Sequence, residues 1–226
     1  VGNVDRGLWL DEGVQWVSVG ANRYDVKRFG AIGDGVADDT TAIAATLTAA
    51  GSSGADVIFP PGTYLISATL VYSSNQKWQF FGGATIKLKD TSVAGLTGNT
   101  GMITPTAVNQ TNVAFYNLSL DGNKANNPTV NSGNGLNIKD ASHVAVYNAT
   151  IINCPRNGIE VWETTANQTY DISLNQCTLT GIGLAGVNGG AGIAVINGHR
   201  ISIRDPYISG SNTQNIDLEP NASDPA

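Results

Sequence analysis

Val113-Ala114-Phe115 returns as Val144-Ala145-Val146, as Ile172-Ser173-Leu174 and as Ile201-Ser202-Ile203, at steps of 31, 28 and 29 residues. A single apolar residue follows each triplet: Leu120, Ile151, Leu179 and Ile208 recur at the same 31, 28 and 29. A third set follows a turn. Leu136-Asn137-Ile138, Ile159-Glu160-Val161, Ile193-Ala194-Val195 and Ile216-Asp217-Leu218 are spaced 23, 34 and 23. Three strand families sharing one mean period of about 28 residues predict a three-faced coil. One turn of such a coil cannot bury its apolar face alone, so successive turns must stack. The uneven steps place a loop at Asn123 to Gly133 and another at Glu163 to Asn167 or at Gly183 to Gly186. Loops on a rigid solenoid commonly shape a binding groove.

Composition agrees with a turn-rich β protein. Of 226 residues, 27 are Gly and 23 are Asn, and only 13% are charged. A net charge of −6 argues against nucleic-acid and anionic-membrane partners. No apolar run approaches the roughly 20 residues of a membrane span, and no signal peptide opens the chain. Cys154 and Cys177 are the two cysteines and are read as small core fillers, not a disulfide framework.

Upstream of the repeats, Tyr24-Asp25-Val26-Lys27-Arg28-Phe29 reads as a strand. Gly33-Asp34-Gly35 reads as a turn through φ > 0. Asp38 or Asp39 is then expected to cap a helix through Ala42 to Ala50, ended by Gly51. Since almost everything after Gly51 reads as strand and turn, the helix is expected to cover one end of the coil. Short strands follow at Val57-Ile58-Phe59, Tyr64-Leu65-Ile66, Thr69 to Tyr72, Lys77 to Phe80 and Ala84 to Leu88. Before it all, Gly7 to Leu10 and Val14 to Val19 read as a hairpin across an Asp11-Glu12-Gly13 turn. Trp9 and Trp16 need a surface to pack on, because a lone hairpin is marginal in water.

The stretch Tyr24 to Ile43, together with Val57-Ile58-Phe59-Pro60-Pro61-Gly62-Thr63-Tyr64-Leu65-Ile66, closely resembles the opening of the pectate-lyase-like β-helix domain of bacteriophage tailspikes. The fold expected is thus all-β: a right-handed single-stranded parallel β-helix with an N-terminal capping α-helix. Residues 1–23 are expected to link a virion-anchoring part to a β-helix over 24–226, with further coils beyond it. The resemblance implies an extracellular, homotrimeric virion tail protein that recognises a bacterial surface polysaccharide, which proteins of this kind often also depolymerise as glycoside hydrolases or lyases. It also implies contact with other tail proteins through the N-terminal segment. A secreted polysaccharide lyase or glycoside hydrolase, and an inactive structural fibre or adaptor, are the competing readings. No Cys/His or Asp-x-Asp cluster has metal-ligand spacing, so no metal or cofactor is expected.

One constellation suggests chemistry. Alternate residues of a strand face opposite sides, so Asn137 and Lys139, Glu160 and Trp162, Asp217 and Glu219 should face outward in the third family. Coils stack about 4.8 Å apart, which puts Glu160 and Asp217 on the order of 9–10 Å apart across Ala194. That is near the upper end of the roughly 6.5–9.5 Å of an inverting glycosidase pair. Glu160, Asp217 and Glu219 are the candidate catalytic carboxylates; Trp162, Asn137 and Lys139 are the candidate substrate-binding residues. The same face would equally suit a subunit contact. His143 and His199 each precede a strand and read as surface residues, with no Ser, Cys or second His placed near them by the repeat.

Overall fold

The computed structural model describes residues 8–11, 16–19, 22–92, 96, 101–128, 133–164, 167–185 and 189–219. Within them the chain winds as a right-handed parallel β-helix of three sheets. A long-strand sheet of seven strands runs from Arg23–Asp25 to His199–Arg204. A short-strand sheet of seven runs from Asp34–Asp38 to Tyr207–Ser209. The third, of six strands, runs from Leu70–Tyr72 to Ile216–Glu219.

The repeat columns are the pairing registers. Val113 pairs with Val144, Val144 with Ile172 and Ile172 with Ile201. Leu120 pairs with Ile151, Ile151 with Leu179 and Leu179 with Ile208. Leu136, Ile159, Ile193 and Ile216 stack likewise. These columns face inward and, apart from those of the last coil, are buried in one core. Cys154 and Cys177 are free thiols within that core. The early coils are filled by aromatics instead: Phe59 stacks on Phe80 at 4.4 Å, and Trp78 meets Phe59 and Phe115 at 5.5 Å each.

Two corner positions keep the coil turning. Asn117, Asn148, Gln176 and Asp205 lie three residues before the short-strand column and have φ of 55, 54, 54 and 49°. Asn112, His143, Asp171 and Arg200 lie one residue before the long-strand column, with φ of 58, 52, 56 and 54°. Asn and Asp tolerate this left-handed region best among residues with a side chain, which explains the asparagine content. At Gly158 the reason for glycine is contact: a Cβ there would lie 2.4 Å from Leu179 Cδ2 and 2.6 Å from the Gly192 carbonyl.

The helix spans Thr40–Ala50 and buries Ile43, Leu47 and Ala50 in the core. Buried Gln76 donates to the Leu47 and Gly51 carbonyls at 3.2 and 2.9 Å and accepts from Trp78 Nε1 at 3.0 Å. It thereby satisfies acceptors that a helix end leaves open. The two aspartates divide the work at the other end. Asp38 accepts from Thr40 N and Oγ1, whereas Asp39, 2% exposed, accepts from Ile32 N and Gly33 N.

Three local expectations are corrected. The strand at Tyr24 stops at Asp25, whose carboxylate accepts from Lys27 N at 2.8 Å and starts a 3-10 turn over Val26–Phe29. Gly33-Asp34-Gly35 does have φ of 68° and 76° at its glycines, but Asp34–Asp38 is an irregular strand paired with Thr63–Ile66. Ile216 and Leu218 are 39% and 67% exposed, because their strand lies at the edge of its sheet. Leu8–Asp11 and Trp16–Val19 do pair antiparallel. The turn between them and the surroundings of Trp9 and Trp16 lie outside the described residues.

Candidate functional site

Register carries the candidate residues into two columns on the third sheet. Asn137 pairs with Glu160, Glu160 with Ala194 and Ala194 with Asp217; Lys139, Trp162, Ile196 and Glu219 form the neighbouring column. Their flanks Leu136, Ile138, Ile159 and Val161 are fully buried, so these columns point away from the core.

Side-chain packing then separates them. Asn137 is 1% and Glu160 0% exposed, which corrects the expectation that both are displayed to solvent. Arg156 Nη1 lies 3.3 and 3.2 Å from the two Glu160 carboxylate oxygens. Asn134 Nδ2 donates to Glu160 Oε2 and to Asn137 Oδ1, the latter at 2.8 Å. A Cβ at Gly189 would lie 3.0 Å from Arg156 Cγ and Nε, and Asn157 Oδ1 accepts from Gly190 N and Ala191 N. Burial pushes the Glu160 carboxyl above its ordinary range, and the Arg156 guanidinium with the asparagine hydrogen bonds opposes that. Asp217 is half-buried and Glu219 exposed. Hence Glu160 and Asp217 share a column but do not form an open pair.

Trp162 and Lys139 are half-buried and meet, the Lys139 ammonium lying 4.5 Å from the Trp162 ring centre. With Asn137, Thr104, Pro105 and Val108 they line a cleft of about 530 Å³. Asp140 closes one side of it. Its carboxylate accepts from Thr164 N at 2.7 Å and Thr164 Oγ1 at 2.6 Å, fixing the turn that follows Trp162. The cleft therefore offers an aromatic face and a cation, over a floor in which the buried Asn137 amide is held by Asn134. That is chemistry for holding a polyhydroxylated ring, and all three candidate binding residues line it. Among the described residues, no three His, Cys, Asp or Glu side chains gather to hold a metal ion.

A second group was missed by reading strands singly. His143 Nδ1 lies 3.3 Å from both Ser142 Oγ and Thr111 Oγ1, and its Nε2 is 3.4 Å from Asp171. His199 Nε2 faces Glu163 Oε1 at 3.7 Å. The histidines are surface residues, but each has partners that only the stacking of coils supplies. The signal was present: His143, Asp171 and Arg200 each directly precede a member of the Val113 column.

A single-stranded parallel β-helix with a cleft on one sheet face is the pectate-lyase-like class of architecture. The chain belongs to the rhamnogalacturonase A/epimerase, pectate lyase-like family, which it matches over residues 24–222. It is 38% identical to mannuronan C5-epimerase AlgE6 of Azotobacter vinelandii over 113 residues, covering 46% of this chain and 13% of that protein. Among solved structures it resembles gene product 12 of bacteriophage phi29, with a TM-score of 0.65 and 24% identity over 79% of this chain and 24% of that one. It also resembles the family 28 exopolygalacturonase of Yersinia enterocolitica, with a TM-score of 0.68 and 14% identity over 90% of this chain and 46% of that one. The chain thus spans about an eighth of the epimerase and a quarter of the phage protein. These structural likenesses concern the fold.

Proposed function

We propose that this chain is the saccharide-recognising β-helix of a bacteriophage tail protein that binds a bacterial surface polysaccharide through the Trp162 cleft. The observation that carries the reading is the cleft itself, where Trp162, Lys139 and Asn137 converge on the outer face of a rigid sheet. Family membership and the likeness of fold to a phage gene product support it. In this reading residues 1–23 lead to the virion-attached part, residues from 24 onward form the β-helix, and the assembly is a homotrimer displayed outside the host cell. Glu160, buried and held by Arg156 and Asn134, does not meet the sugar. Polysaccharide cleavage would then use the more open Asp217 and Glu219 or carboxylates on other coils.

Binding of labelled bacterial surface polysaccharides to immobilised wild-type and Trp162→Ala protein tests the proposal. An anchoring tryptophan carries about 2 kcal/mol or more, so the variant should bind at least about thirtyfold more weakly with an unchanged melting curve. Equal binding by both proteins would refute it. The identity to an epimerase favours a second reading, an enzyme that remodels uronate polymers. Proton NMR of alginate incubated with the protein separates the two, since only the second predicts a change in the polymer.

A further inference from the structure

On the opposite side of the Trp162 strand's following turn lies a separate cleft of about 580 Å³, lined by Asn167, Tyr170, Gly198, His199 and Arg200. No carboxylate lines it. The carboxylates stand behind its Arg200 and His199 side chains instead. Asp171 accepts Arg200 Nε and Nη2 at 2.6 and 2.9 Å, which leaves Nη1 outside that fork. Glu163, 7% exposed, is held by Gln168 N and Thr169 N at 3.0 Å each and presents its other oxygen to His199 Nε2 at 3.7 Å. Between them Tyr170 has the Arg200 guanidinium 5.2 Å from its ring centre and the His143 ring 5.3 Å away. The side chains of three successive coils are thereby braced into one surface.

We propose that this cleft is a second saccharide subsite, taking an oxyanion substituent (a carboxylate or a phosphate) of the polysaccharide held in the Trp162 cleft. It rests on the saccharide-binding reading above. The wall presents the Arg200 and His199 nitrogens, the Tyr170 hydroxyl and the Asn167 amide, a set rich in donors. A carboxylate behind each of Arg200 and His199 orients it. The Arg200 fork also holds the Asp171 carboxyl below its ordinary range, so that support persists in mild acid. Arginine is suited to this task because its planar donors match carboxylate and phosphate geometry.

The chain has two histidines, so selective ¹³C labelling gives two imidazole signals and a direct readout. Titrating the whole chain with methyl galacturonoside, glycerol phosphate and methyl galactoside separates carboxylate, phosphate and neutral sugar. The expected result is a saturable shift of His199 with one or both anions and none with the neutral sugar. Arg200→Gln should weaken that shift about tenfold or more, the loss expected for one charge-assisted hydrogen bond. Arg200→Lys should restore part of it. Arg200 is well exposed, so neither change threatens the fold. No saturable shift, an equal shift with the neutral sugar, or an unchanged titration in Arg200→Gln would each overturn the subsite. Trp162→Ala tells the two claims apart. Loss of polymer binding in that variant with a silent His199 removes the subsite alone. A responsive His199 in a protein that binds no polysaccharide removes the saccharide reading and leaves a bare anion site.

Discussion

Replacing Arg156 with Ala tests whether Glu160 belongs to the scaffold. In the intact protein the guanidinium lies 3.2 Å from a carboxylate that is 0% exposed. Removing one partner of a buried pair costs about 3–5 kcal/mol, because the other charge is left without compensation. Asn134 still donates to Glu160, so the lower end is appropriate, about 3 kcal/mol at pH 8. With a urea slope of about 2–3 kcal/mol/M, the unfolding midpoint should fall by about 1 M. The loss depends on pH. Burial raises the folded pKa of Glu160, and deleting Arg156 removes the first of the effects that lower it. A group whose folded pKa lies above its unfolded value, about 4.3 for glutamate, stabilises fully below that value. Its contribution is lost as pH rises through the folded pKa. Arg156→Ala should therefore approach wild type near pH 4 and fall furthest below it at pH 8. Depressed carboxyls such as Asp38 and Asp171 weaken both proteins in acid, so they cancel in the difference. Urea unfolding at the two pH values measures it. A deficit that is the same at both, or absent at pH 8, would refute the reasoning.

Gly158→Ala should destabilise the protein by about 1–3 kcal/mol, the range for overpacking a filled core, since the new methyl would meet Leu179 and a backbone carbonyl; a thermal melt would show it. Burial pushes the Cys154 and Cys177 thiols up to about 12 and about 11, so neither should react with a thiol reagent at pH 8 until denaturant is added. Fast labelling of the folded chain would mean that the coil opens near those residues.

Much of the coil could be read from residue spacing. Val113, Val144, Ile172 and Ile201 share their three steps with Leu120, Ile151, Leu179 and Ile208 because one physical period generates both columns. The corner residues were legible by the same arithmetic, at a constant offset before each column. Glu160 was not. Alternation along a strand correctly puts it on the outer face, but its burial comes from Arg156 in the preceding turn and Asn134 one coil earlier. Periodicity carries no information about a side chain folded over a neighbour. The division of roles between Asp38 and Asp39 has the same origin, since the donors that claim Asp39 lie six and seven residues upstream. That Trp162 and Lys139 lie side by side was legible, because they are paired positions of one strand register and need no loop to bring them together.

A crystal structure of the chain with an oligosaccharide cut from a polysaccharide that it retains is the most direct test of the central claim. The account predicts a sugar ring in the cleft between Thr104 and Trp162, within about 4 Å of the indole and in reach of Asn137 and Lys139. Sugar bound elsewhere on the coil with this cleft empty, for instance along the exposed Tyr116 and Tyr147 pair, would contradict it.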